Sequence, residues 1–221
     1  MIHFDEAAHR YTDADGREYL SVTQLLERMF PFDREGIAAK VVVNPNSQYY
    51  GRSVEDVLAE WTAAADQGSE VHYAIETFIK EGREPEDSRL LPLVAQFKTL
   101  SLSGELLSEE RVWDESMLLA GTVDLIERRD DECVIWDIKT SKRISGDTHL
   151  KYSMQLEIYR RMAEKRLGLP ARVGGILWYE DYVRRGPGAV LTRMSPCDCS
   201  RSVESLLRDR ELEVRSLVAG T

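Results

Sequence analysis

Three polar features have residue types and spacings suited to chemistry on a phosphate. The first is Gly121-Thr122-Val123-Asp124-Leu125-Ile126, where a carboxylate interrupts an apolar run. The second is Val134-Ile135-Trp136-Asp137-Ile138-Lys139-Thr140, an apolar run ending in an acid and a base one residue apart. Strand alternation puts Asp137 and Lys139 on one face. The third is Gln155 with Tyr159, spaced to share one face of a helix. A carboxylate inside a buried strand must be paired, hydrogen-bonded or bound to a cation. Two of them on neighbouring strands repel unless a cation lies between, and Mg²⁺ or Mn²⁺ favours such oxygens. A lysine one pleat away then holds a water or offsets charge developing on a phosphate. On these residues alone a competing reading stands: an Asp137–Lys139 surface pair at a strand end, with Asp124 in a turn.

Local signals give the elements that must carry these residues. Residues 1–20 read as a hairpin around Asp13-Ala14-Asp15-Gly16. Ser21 and Gln24 form a capping box for a helix to Met29, which Pro31 ends. A short helix is expected over 33–43, then a loop at Asn44-Pro45-Asn46-Ser47. Ser53 caps a helix over 54–65, and Gly68 separates it from a second over 69–81 that Gly82 stops. Val71, Ile75, Phe78 and Ile79 give the second its helical spacing. Leu90 to Leu100 is another helix. The period then changes, and 110–113, 118–127 and 133–139 read as three consecutive strands. A long helix over 149–167 closes at Gly168 and Pro170. Strands over 172–182 and 189–194 and a helix over 200–218 complete the order. The fold class is therefore α/β, a mixed central sheet flanked by helices. No linker marks a boundary, so 1–221 is expected to be one domain. Its parts are a hairpin and helices in 1–100, a core in 105–182, and a C-terminal strand and helix in 183–221.

Taken in order, Gly-x-x-Asp, Asp-x-Lys-Thr and Gln-x-x-x-Tyr resemble the PD-(D/E)XK nuclease superfamily, its RecB-type branch in particular. Gly68-Ser69-Glu70-Val71-His72-Tyr73-Ala74-Ile75-Glu76 matches that branch's Gly-x-x-x-His-x-x-x-Glu helix. Tyr11…Gly16…Tyr19-x-Ser21-Val22-Thr23 is similar to the opening of its phage and mitochondrial single-strand exonucleases. The resemblance implies a restriction-endonuclease-like core and Mg²⁺- or Mn²⁺-dependent hydrolysis of DNA from single-stranded ends. Repair, recombination or phage DNA processing is the implied setting. His72, Asp124 and Asp137 would bind the metal, joined by the carbonyl of Ile138. Lys139 would position the attacking water or neutralise the phosphate. Gln155 and Tyr159 would steady Lys139 or contact the DNA backbone, and Glu76 would orient His72. Glu109 or Glu110 is a candidate for a second metal or its waters, against a solvated strand start. Thr140, Ser141, Lys142, Arg143 and Lys151 are candidates for contacts to DNA. Tyr49, Tyr50, Trp61 and Tyr152 are candidates for stacking on bases. Some relatives hold an iron–sulfur cluster on four cysteines. This chain has Cys133, Cys197 and Cys199, so no cluster is expected. Without a Gly-x-x-x-x-Gly-Lys-Ser/Thr loop, any helicase or recombination partner would be a separate chain. A non-catalytic nucleic-acid-binding or assembly protein on the same fold, a structure-specific endonuclease, and an enzyme on another phosphate ester are the alternatives.

Composition sets the bounds around this. The chain has 221 residues, 43% hydrophobic and 31% charged, an ordinary globular balance. No apolar run approaches the roughly 18 residues that span a bilayer, so no membrane partner is expected. The start at Met1–Glu6 has no basic segment and no apolar core, so it reads as no secretion signal and the cytoplasm as the location. The odd number of cysteines fits that reducing compartment. The net charge of −10 argues at first against a polyanionic partner. Its distribution reverses this: residues 137–185 hold 11 Lys+Arg against 6 Asp+Glu, leaving −15 on the rest. A local basic groove on an acidic body is expected.

Overall fold

The computed structural model describes residues 2–5, 8–180 and 182–219. Met1 and Glu6, part of the stretch read as no secretion signal, lie outside it, as does Asp181.

The chain opens with three short strands, β1 (Ile2–Asp5), β2 (Arg10–Asp13) and β3 (Glu18–Ser21), where a single hairpin was expected. Asp13 shapes the second turn by accepting the amides of Asp15 and Arg17 with its side chain, as aspartate does in turns. Ser21 then caps α1 (Val22–Met29): its hydroxyl accepts the Gln24 amide, and the Gln24 side chain accepts the Ser21 amide. This is the capping box read from the sequence. After α2 (Arg34–Val43), α3 runs unbroken from Val54 to Glu81. The break expected at Gly68 is absent. Glycine costs a helix about 1 kcal/mol, but here a Cβ would lie 2.7 Å from Thr140 Oγ1. The glycine is what lets α3 pack directly against the strand that ends in Lys139.

The remaining elements are α4 (Leu91–Lys98), β4 (Glu105–Asp114), β5 (Leu119–Arg128), β6 (Cys133–Lys139), α5 (Asp147–Leu167), β7 (Ala171–Tyr179), α6 (Tyr182–Arg185), β8 (Leu191–Met194) and α7 (Ser200–Ala219). β4 starts earlier than expected, and the strand expected over 172–182 gives way to α6 after Tyr179. All eight strands form one mixed sheet in the order β1-β2-β3-β5-β6-β7-β8, with β4 also on β5. β4 runs antiparallel along one whole edge of β5. β3 and β6 share the other edge, β3 parallel at Leu119–Ala120 and β6 antiparallel at Leu125–Arg128. β6 pairs with β7 in parallel, and α5 makes the crossover.

Each face of the sheet buries its own apolar set. Val22 and Leu26 of α1, Met154 and Ile158 of α5 and Val203 of α7 cover Val123 and Ile135 on one side. Val71 and Ile75 of α3 with Leu93 and Phe97 of α4 cover Leu125, Trp136 and Ile138 on the other. This is the α/β, restriction-endonuclease-like architecture expected from the sequence. Among the described residues, no helix is long and apolar enough to cross a membrane.

Gly121 carries the closest approach in this packing. A Cβ there would fall 2.5 Å from the Tyr159 ring of α5, which is buried and has nowhere to move. Gly121→Ala is expected to lower unfolding free energy by about 1–3 kcal/mol, read in a urea titration.

Candidate active site

β5 and β6 pair from Arg128–Cys133 as far as Leu125–Trp136 and then diverge. β6 continues beside β7 to its end at Lys139. Asp124 spans the opening: its Oδ2 accepts the Ile138 amide at 2.7 Å. An N–H that the ladder leaves without a β5 carbonyl is thereby satisfied. The same hydrogen bond fixes the carboxylate, whose Oδ1 lies 3.8 Å from His72 Nδ1. On the opposite edge of β5, the pairs Ser108–Leu125 and Glu110–Val123 set Glu109 across from Asp124. Glu109 takes φ 54°, a left-handed conformation that is costly for a side-chain-bearing residue and recurs at functional sites. Its Oε1 lies 3.7 Å from His72 Nδ1. His72 of α3, Glu109 of β4 and Asp124 of β5 thus each offer one ligand atom, all within 4.8 Å of one another.

Asp137 lies beside this group and is 1% exposed. Its Oδ1 accepts from Lys139 Nζ at 2.7 Å, while its buried Oδ2 has no hydrogen-bond partner. Such an orphan oxygen is costly unless something positive meets it. Lys139 Nζ also lies 3.3 Å from the Ile138 carbonyl and 3.9 Å from Asp124 Oδ2, with the Tyr152 ring 4.9 Å beneath it. Imidazole nitrogen, carboxylate oxygen and a backbone carbonyl make a donor set that fits a hard divalent cation, Mg²⁺ or Mn²⁺. The orphan oxygen of Asp137 is a further point that such a cation would satisfy.

Burial dominates the acid–base behaviour of the site. It pushes the Asp137 carboxyl up to about 7, against the pull of Lys139 and with the help of Asp124. Burial works to lower Lys139, but the carboxylates of Asp137 and Asp124 outweigh it and raise its pKa, so it stays an ammonium. Burial also works to lower His72, and Asp124 and Glu109 together raise it instead. Desolvation holds the Tyr159 hydroxyl protonated.

The site opens into a cleft of about 1400 Å³, lined by the hairpin, α3, β5, the end of β6 and α5. His72, Asp124, Ile138, Lys139, Thr140, Ser141, Lys142, Gln155 and Tyr159, all candidates from the sequence, line it. Several assignments change. Glu76 lines the cleft but pairs with Lys80 one turn on, at 2.7 Å, and the carboxylates facing His72 are Glu109 and Asp124. Lys139 is held by Asp137 and the Tyr152 ring, not by Gln155 and Tyr159. Tyr159 packs instead on Gly121, with Gln155 beside its hydroxyl. Arg143, Lys151 and Tyr50 lie outside the lining, whereas Tyr49 and Trp61 belong to it.

The basic excess of residues 137–185 is largely consumed internally. Arg160 and Arg161 grip Glu157, Lys165 grips Asp114 and Arg172 grips Glu132. The charged lining is then Arg52, Lys139 and Lys142 against Glu60, Glu76, Glu109 and Asp124, an acidic balance in place of the expected basic groove. The sequence does not separate Glu109 from Glu110. The place of Glu109 opposite Asp124 depends on the β4–β5 register, which no local signal reveals.

The family described as the PD-(D/E)XK nuclease superfamily matches residues 22–219. Among solved structures, a protein named SSO0001 is similar, with 15% identity and a TM-score of 0.43 over 88% of this chain and 75% of that one. A Eubacterium rectale protein, for which exonuclease is a proposed assignment, is similar with 10% identity and a TM-score of 0.41 over 90% of this chain and 80% of that one. No curated protein matches the chain.

Two measurements test the ligand set. A carboxyl with pKa about 7 must lose its proton to meet a cation. His72, raised as well, must also be neutral to ligate, so Mn²⁺ affinity is expected to be at least about tenfold weaker at pH 6 than at pH 8, with proton release on binding seen by calorimetry in two buffers. Glu109→Gln is expected to weaken Mn²⁺ binding about 10- to 100-fold, and Glu110→Gln to leave it unchanged.

Proposed function

Because the chain belongs to the PD-(D/E)XK nuclease superfamily, we propose that it is a Mg²⁺- or Mn²⁺-dependent deoxyribonuclease that hydrolyses DNA from single-stranded ends. The convergence of His72, Glu109 and Asp124 beside the Asp137–Lys139 pair, on the wall of one cleft, supports this most strongly. In this assignment His72, Glu109, Asp124, Asp137 and the Ile138 carbonyl hold the cation. When bound, a divalent cation neutralises phosphate charge and lowers the pKa of a water.

The protein's own groups supply the rest. Lys139 is an ammonium clamped by Asp137 over Tyr152, so it serves as a fixed donor to a phosphoryl oxygen and not as a base. Its position costs no reorganisation at the moment of reaction. Asp124 holds β6 through the Ile138 amide while presenting its other oxygen to the ligand group. Thr140 lines the cleft next to Lys139, where a phosphate would pass, while the Ser141 hydroxyl is buried. Lys142, whose ammonium donates to Gln48 at 3.0 Å, offers charge to the backbone further along, while Arg52 beside it is paired with Glu60. The hairpin, α3 and the core all line the cleft, so the chain is taken to act as one catalytic domain. The preference for single-stranded ends rests on the likeness of Tyr11…Thr23 to the opening of the family's single-strand exonucleases.

Lys139→Ala is expected to lower kcat about 10³-fold while Mn²⁺ affinity and the circular dichroism spectrum are retained. Linear single-stranded DNA should be degraded in Mg²⁺ and a circular single strand left intact. Rapid cutting of the circle would make the enzyme an endonuclease.

A further inference from the structure

The N-terminal hairpin brings to the cleft an aromatic group that the chemistry above does not use. Phe4 of β1 pairs with Tyr11 of β2, and their rings stack at 4.4 Å between centroids and 26° between planes. His9 sets its ring edge-on to Phe4 at 5.2 Å and 81°. His9 takes φ 50°, a left-handed conformation that fixes the direction in which the imidazole leaves the turn. All three residues line the cleft. Tyr11 is the pedestal: it is 5% exposed, and its hydroxyl shares a 2.8 Å hydrogen bond with Thr122 Oγ1. Thr122 stands two residues before Asp124 on β5. The Phe4 ring is therefore registered to the strand that carries the metal-facing carboxylate.

We propose that Phe4, flanked by His9 and backed by Tyr11, is a stacking platform for one unpaired base of the DNA strand whose phosphate lies at Asp124 and Lys139. This rests on the proposed single-stranded substrate and deepens it. A base offers a flat face to a ring whatever its identity, so the platform is tolerant of sequence. In a duplex that face is already stacked on neighbouring bases, so the platform favours single strands. Tyr73 of α3 also lines the cleft and is 65% exposed, whereas three other aromatic residues there are less free to do this. Trp61 donates its indole N–H to the Tyr49 hydroxyl at 3.1 Å, Arg52 lies over the Tyr49 ring, and Lys139 lies over Tyr152.

The test is binding of a fluorescent oligothymidylate and of the same backbone without bases, by anisotropy in Ca²⁺. Wild type is expected to prefer the strand with bases. Phe4→Ala should lose about 5- to 150-fold in affinity for it and little for the abasic strand. Phe4→Trp should keep the preference, and Phe4→Leu, apolar but without a ring face, should lose it. A purely structural role would weaken both strands alike, and a melting curve for each variant identifies any that fails to fold. Phe4→Ala and Phe4→Leu that keep the wild-type preference overturn the platform, even if wild type cleaves the oligothymidylate in Mg²⁺. Loss of the preference upholds the platform, even if wild type cleaves nothing and the nuclease assignment alone falls.

Discussion

The hydrogen bond from the Ile138 amide to the Asp124 carboxylate is the contact on which the rest of the site depends. β5 serves β3 and β6 on a single edge, so the two partners must separate, and the separation falls beside Asp124. A regular ladder there would consume the Ile138 N–H in a backbone pair. The divergence frees it, and a carboxylate takes it up. That exchange keeps a buried donor satisfied. It also orients one oxygen of Asp124 toward His72 and keeps Asp137 and Lys139 close by on β6.

The electrostatic consequence is a concentration of buried charge. Asp137, Asp124 and Glu109 stand close together with Lys139 and His72, and one oxygen of Asp137 has no partner. Sheet and helices hold these groups in place by packing, since mutual repulsion of the acids would otherwise disperse them. Arg160, Arg161 and Arg172 of the neighbouring segment are tied to Glu157 and Glu132 and add rigidity rather than a charged surface. The cleft is therefore acidic in its own lining, and divalent cations are what would make it receptive to phosphate.

Close packing without side chains places the two helices that complete the cleft. Gly68 lets α3 meet Thr140, which brings His72, one turn further on, to Glu109 and Asp124. Gly121 lets Tyr159 of α5 lie on β5, which sets Tyr152 of the same helix under Lys139. The hairpin is joined to β5 both by the β3 ladder and by the Tyr11–Thr122 hydrogen bond. Gly68 and Gly121 thus each have a steric cause.

The sequence alone determined the fold class and the order of most elements, and it singled out the candidate residues that the fold then brings to one cleft. Strand alternation puts Asp137 and Lys139 on one face, the Ser21–Gln24 box starts α1, and the motif order points to the family that matches residues 22–219. These are local or linear facts, set by side-chain period and backbone capping. Tertiary structure decided the rest. Gly68 reads as a helix break because its propensity is poor, and only the approach of Thr140 shows why it sits inside α3. Glu109 and Glu110 are indistinguishable in sequence, and the β4–β5 register with a left-handed φ selects Glu109. Glu76 stands one helical turn from both His72 and Lys80, and it is Lys80 that takes the carboxylate. The partners of Arg160, Arg161 and Arg172 became visible only in the fold, because opposite charges pair by distance in space and not along the chain.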